Sequence, residues 1–64
     1  MNKIKAVLRE QGRTQAWLSD KIEKSYVVTT NYVNNKTQPS LHILYRIADV
    51  LDIDVRDLLV PSKP

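Results

Sequence analysis

The chain predicts an all-α fold, a compact bundle of five short helices, and three observations carry that expectation. Apolar residues recur at three- and four-residue spacing in successive short blocks, the period of a helix face rather than of a strand. The blocks are separated by too few residues for anything but tight corners, and most follow a Ser, Thr or Asp suited to capping a helix start. The one stretch that favours a strand by composition has no partner strand anywhere else in the chain.

Ile4, Val7, Leu8 and Gln11 fall at helical spacing and stop at Gly12, the only glycine, placed as a C-terminal cap. Thr14 reads as the N-cap of a second helix with Leu18 and Ile22 facing inward. A fourth helix is capped by Ser40 behind Pro39, with Leu41, Leu44, Ile47, Ala48 and Leu51 on one stripe. Asp54 caps a last short helix, Val55 to Leu59, which Pro61 ends. Between them, residues 26–33 read Tyr-Val-Val-Thr-Thr-Asn-Tyr-Val, a strand by local propensity, and Asn34-Asn35 would suit a hairpin turn. An isolated strand cannot satisfy its backbone, however, and helical spacing sorts the segment into two sides. Val28, Thr29, Tyr32 and Val33 fall on one, and Val27, Thr30, Asn31 and Asn34 on the other. The segment is therefore expected to be a third helix held by tertiary packing against its own propensity.

With 64 residues there is room for one domain, residues 1–64 with the packed part from about 4 to 59. A chain of this size buries only about 60% of its unfolded surface, so many short, well-packed helices are needed in the absence of a staple. Cysteine is absent, which excludes disulfides, a thiolate metal site and a cysteine nucleophile. His42 stands alone and builds no metal site. No nucleophile–base pair is visible, so neither catalysis nor a cofactor or small-molecule ligand is expected. No apolar run approaches the roughly 20 residues of a membrane span, and no hydrophobic leader is seen, which points to a cytoplasmic, nucleoid-associated protein. Net charge is +3, unevenly spread. Residues 1–46 carry eight basic against three acidic side chains, +5, and residues 47–64 carry two against four, −2. A cationic body with a weakly acidic end suits a polyanion on one side, although an ordinary solvated surface would also show it.

Two short helices joined by a tight corner, with a third apolar helix close behind, is the order of parts in a helix-turn-helix. The details are Thr14-Gln15 opening the second helix, Ser25 opening the third, Asn34-Asn35-Lys36 after it, and Pro39-Ser40-Leu41 leading into the fourth. In this register the chain resembles the phage-repressor/Cro family, also called the XRE family of lambda-repressor-like domains, from Ile4 to Leu59. The resemblance implies a sequence-specific regulator of transcription, a repressor that binds double-stranded DNA as a weak homodimer on a two-fold operator. The alternative is a protein-binding module, such as an antitoxin or anti-repressor partner using the same fold.

By that resemblance the third helix lies in the major groove, and Ser25, Tyr26, Val27, Thr30 and Asn31 reach base edges. Asn31 suits a bidentate pair with adenine, Thr30 bonds either way, and Val27 with the Tyr26 ring packs on a thymine methyl. No Arg or Lys lies on this face, which tilts the expected site toward A/T-rich half-sites. Arg13, Thr14, Gln15, Lys24, Asn34, Lys36 and Gln38 flank it as expected phosphate ligands. Gln15 also matches a position that steadies the recognition helix, although a solvated first-turn residue would look the same. Lys3, Lys5 and Arg9 read as dressing on an outer face of the first helix. The dimer contact is expected from the loop between the last two helices, through Ile53, Val55 and Arg56. Ile53 could equally cover the core beneath that loop.

Several positions depart from the family pattern. Glu23 replaces the turn glycine, and in a left-handed backbone it would be strained by about 1 kcal/mol with its charge near the phosphates. Lys24 replaces an apolar turn residue, and Asn35 a second glycine. The Arg–Glu ion pair that joins helices one and three in the family is replaced by Leu8 and Val33. Trp17 is expected to cover the core edge, and Tyr45 and His42 to be partly exposed, His42 without a functional role.

Overall fold

Each helix is delimited by residues that supply what a helix end needs, which is an acceptor for orphan N–H groups or a backbone that turns left-handed. The computed structural model describes residues 1–60. It contains α1 (Ile4–Gln11), α2 (Gln15–Ile22), α3 (Tyr26–Val33) and α4 (Leu41–Leu51), followed by one 3-10 turn at Val55–Leu58. The side-chain oxygens of Thr14, Ser25 and Ser40 accept from the backbone N–H of Trp17, Val28 and Ile43 at 3.0, 3.1 and 3.3 Å. Gly12 ends α1 at φ 66°, and Glu23, Asn35 and Asp52 adopt the same left-handed conformation at φ 58°, 60° and 57°. Glycine does this without cost, whereas Glu23 and Asp52 each carry strain of about 1 kcal/mol.

The expected fifth helix is corrected to that single 3-10 turn. Asp57 N–H donates to the Asp54 carbonyl and Leu59 N–H to the Arg56 carbonyl, at 2.9 and 3.2 Å. These three-residue bonds suit four residues that must drop Leu58 into the core, where it is fully buried. Asp54 caps the turn as expected, accepting from Arg56 N–H at 2.8 Å, and the Arg56 guanidinium also donates to both of its carboxylate oxygens. The guanidinium bond first, then the backbone bond, holds the Asp54 carboxyl below the usual carboxylate range. The expected stop at Pro61 lies outside the described residues.

One cluster of buried side chains joins all the elements. Ile4, Val7 and Leu8 enter from α1, Leu18 and Ile22 from α2, and Val33 from α3, over the inner side of α4 and Leu58. α2 packs against both α3 and α4, and α1 against α3. The helical reading of 26–33 holds: Thr29 and Val33 are buried, and Thr29 Oγ1 donates to the Ser25 carbonyl at 2.9 Å. Val28, expected on the inner side, is 37% exposed. Leu41 is a clearer correction. It stands at the first position of α4 and is 67% exposed, because side chains lean toward a helix's N-terminus and carry Leu41 past the end of the core. Ile43 takes a buried place that the stripe had not assigned. Trp17 and Tyr32 pack at the edge of the cluster, and Tyr45 and His42 are exposed.

The two ends of the described chain meet beside the exit of α3. Lys3 N–H donates to the Leu58 carbonyl at 2.8 Å, and Asn2 pairs with Leu59 as an isolated antiparallel bridge. The Asn2 side chain is buried with its amide fully engaged. It donates to the Tyr32 carbonyl and to Gln38 Oε1, both at 3.0 Å, while its oxygen accepts from Ile4 N–H. Its backbone N–H donates to Asn35 Oδ1 at 2.7 Å. Among the described residues no helix is long and apolar enough to cross a membrane.

Candidate nucleic-acid interface

The corner between α2 and α3 is two residues long, Glu23 and Lys24, before the Ser25 cap. Glu23 turns the chain left-handed, its N–H donating to the Asp20 carbonyl, while Lys24 N–H donates to the Ser19 carbonyl at 3.1 Å. Its carboxylate accepts from Arg46 of α4 at 3.1 Å, an exposed pair that neutralises the acid of the corner. The negative charge that would oppose a polyanion therefore has its own cation, which the sequence pattern did not disclose.

On α3, Thr29 and Val33 face the core and Tyr32 packs at its edge, which leaves Tyr26, Val27, Thr30 and Asn31 toward the outer side. Tyr26 and Val27 are 56% and 68% exposed. Thr30 and Asn31 are half-buried, and among the described residues the Asn31 side-chain amide makes no protein hydrogen bond. The Asn31 backbone carbonyl accepts from Lys36 N–H at 2.9 Å, which folds the loop back behind the helix. Ser25 Oγ accepts the cap bond from Val28 N–H, which leaves its hydroxyl proton and one lone pair for a partner. Thr30 Oγ1 donates to Gln15 Oε1 at 2.9 Å, linking the start of α2 to the middle of α3. That bond ties Gln15 to α3, and among the described residues its side-chain N–H groups make no hydrogen bond.

The remaining expected phosphate ligands fall into two groups. Lys24, Asn34 and Lys36 are exposed on either side of α3. Arg13 is exposed too, its guanidinium carbon 4.4 Å from the centroid of the Trp17 ring, which pins it beside the start of α2. Thr14 Oγ1 is spent on the cap of α2. Gln38 is spent at both ends, accepting from Asn2 and donating to Asn35 Oδ1 at 3.1 Å. Leu8 and Val33, which stand where the family has an ion pair, are both buried at the floor of a recess between α1, α2 and α3. Lys5 and Arg9, exposed on α1 as expected, also rim that recess beside Arg13 and Gln15. Of the expected dimer residues, Ile53 and Val55 are half-buried against the core, and Arg56 is exposed in its pair with Asp54.

Asn2 and Arg46 were missed by sequence reasoning. A lone Asn near the start of a chain, or an Arg in the middle of a helix, carries no local sign of partners 23 to 36 residues away.

The arrangement of capped short helices, left-handed corner and outward α3 defines a helix-turn-helix domain. The helix-turn-helix family model matches residues 4–58, and the chain belongs to that family, the phage-repressor/Cro-like group. No curated protein matches the chain. Among solved structures it is similar to one described as "a putative DNA-binding protein from Bacteroides fragilis". The two are 41% identical over 91% of this chain and 94% of that one, with a TM-score of 0.88.

Proposed function

We propose that the protein is a sequence-specific DNA-binding regulator that lays α3 in the major groove and acts as a repressor from a two-fold operator. The observation that carries this reading is the outer side of α3. Tyr26 and Val27 are exposed apolar surface and the Asn31 amide is unspent, in a cationic surround whose one corner acid, Glu23, is already paired. Exposed apolar side chains beside an unengaged amide suit a thymine methyl and base edges in the groove. The similar structure from Bacteroides fragilis, described as "a putative DNA-binding protein", supports the same reading.

Selection of bound duplexes from a random pool, followed by titration across salt, tests it. Enrichment of a short motif, with affinity falling steeply as salt rises, is the expected result. Lys36→Gln lowers the salt slope by about one unit per protomer without changing the preferred motif. Indifference to duplex at moderate salt would reject the reading and leave a protein partner for the same face.

A single domain of this size reads few base pairs, and two-fold pairing doubles the site, with half-sites about 34 Å apart. The surface proposed for it is the loop carrying Ile53, Val55 and Arg56. Ile53→Asp separates the two roles of that side chain. Loss of cooperativity on a palindrome with the fold intact supports the interface, and global unfolding assigns Ile53 to the core alone.

A further inference from the structure

We propose that Asn2 is a positioning residue for duplex binding. Through an amide clasp with Asn35 and Gln38 it holds residues 34–38, and with them Asn34 and Lys36, in the place from which they meet the duplex. The inference rests on the DNA-binding reading above and adds to it a residue from outside the helix-turn-helix. The three side chains bond one another in a closed set. Asn2 Nδ2 donates to Gln38 Oε1 at 3.0 Å, and Gln38 Nε2 donates to Asn35 Oδ1 at 3.1 Å. Asn35 Oδ1 also accepts from Asn2 N–H at 2.7 Å, and Asn35 Nδ2 donates to the Asn2 carbonyl at 3.3 Å. Asn2 itself is buried, so its bonds are shielded from competing water.

The clasp closes on the exit of α3. The last carbonyls of a helix have no partner within it, and here the Tyr32 carbonyl accepts from Asn35 N–H at 3.2 Å and from Asn2 Nδ2 at 3.0 Å. One side chain thus ties the last turn of α3 to the loop that follows. Position 2 needs an amide, because its NH2 group donates to two oxygens while its own oxygen accepts from Ile4 N–H. Asn35 stands at φ 60°, a backbone that glycine adopts without strain, but a glycine has no side chain to join the clasp. Asn34 and Lys36 flank Asn35 and are exposed, so fixing Asn35 fixes the backbone of both. A contact loop ordered before binding spares the conformational entropy of ordering it on the duplex.

The test is a double-variant cycle read by duplex titration at one low salt concentration, at a temperature where thermal melts show every variant folded. In the parent background, Asn2→Ala is expected to lower affinity about tenfold, the fold-change that ordering the backbone of one residue costs. The loss is expected on preferred and random duplex alike, with the order of preferred sequences unchanged, because the loop meets phosphates and not bases. In the Asn34→Ala, Lys36→Gln background the loop has little left to position, and Asn2→Ala is expected to cost less than about twofold. A merely structural role for Asn2 would give the same loss in both backgrounds. Asn35→Gly removes the centre of the clasp while suiting the left-handed backbone, and it carries the same cycle if Asn2→Ala does not fold. Equal losses in the two backgrounds, or no loss in the parent background, overturn the positioning role and leave the DNA reading in place. A parent that binds no duplex overturns both.

Discussion

At the start of α3 the Ser25 hydroxyl accepts from Val28 N–H, and at the start of α4 the Ser40 hydroxyl accepts from Ile43 N–H. There the likeness between the two helices stops. α4 runs eleven residues and buries five of them, Ile43, Leu44, Ile47, Ala48 and Leu51. α3 runs eight, is built almost wholly from β-branched and aromatic residues, and buries only Thr29 and Val33. Relative to alanine, its composition costs roughly 4 kcal/mol of intrinsic helix propensity. α4 is held by its own apolar stripe, whereas α3 is held from outside by the cap, by Gln15 through Thr30, and by α2 beneath it. The difference teaches how a surface can be kept free for a partner. A helix that spends few side chains on the core must be fixed by its neighbours.

The largest expected effect contrasts the two buried faces. Ile47→Ala should destabilise by about 2–5 kcal/mol, a large part of what a domain this small possesses. Val33→Ala should cost about 1.5 kcal/mol, since two methyl groups leave the core while alanine improves the helix. Urea unfolding followed by circular dichroism measures both, and a Val33→Ala loss equal to that of Ile47→Ala would break the contrast. Next comes the outer side of α3. Asn31→Ala should weaken binding to the preferred duplex by about 1–3 kcal/mol and relax selection at one base pair, with stability unchanged within about 0.5 kcal/mol. Binding isotherms on matched and mismatched duplexes would show it, and uniform parental affinity would remove Asn31 from base readout.

The caps give a finer comparison. Ser25→Ala should cost about 1 kcal/mol, and Ser40→Ala less, because α4 has packing to fall back on and α3 has little. Equal losses in thermal melts would mean that α3 is not the more dependent helix. The smallest effect belongs to the tie between the two helices. Glu23→Gly removes left-handed strain of about 1 kcal/mol and loses an exposed pair with Arg46 of about 0–1 kcal/mol, leaving a net gain of a few tenths. The same substitution strips an acid from the corner, so duplex affinity should rise. A fall in stability would show that the Arg46 pair outweighs the backbone strain.

Much of this was legible in the residues because its causes are local. Gly12, Thr14, Ser25, Ser40 and Asp54 announce helix ends through chemistry confined to three or four positions. The helical state of 26–33 was readable only by elimination, since its residues favour a strand and the packing that overrides them lies elsewhere. The last helix was misjudged because a cap and a short apolar run look alike for an α turn and a 3-10 turn. The choice falls to Leu58, which must reach a core built by other elements. At the interface, spacing put Val27 on the outer side and the family resemblance added Tyr26; both are exposed. The commitments of Gln38 to Asn2 and Asn35, and of Glu23 to Arg46, are made between distant segments and leave no local trace.

The Asn2 contacts have a consequence for the order in which the chain assembles. The capping bonds close over three residues, whereas Asn2 reaches partners 30, 33 and 36 positions away, and Lys3 joins Leu58 across almost the whole chain. Closing long loops costs more entropy than closing short ones, so this latch is expected to shut after the helices have formed. An element that forms late governs how fast the native state opens more than how fast it forms. Asn2→Ala should therefore accelerate unfolding and leave refolding nearly untouched in a stopped-flow chevron. In the native state, the amides of Asn2 and Lys3 should exchange with solvent together, as one unit released when the latch opens.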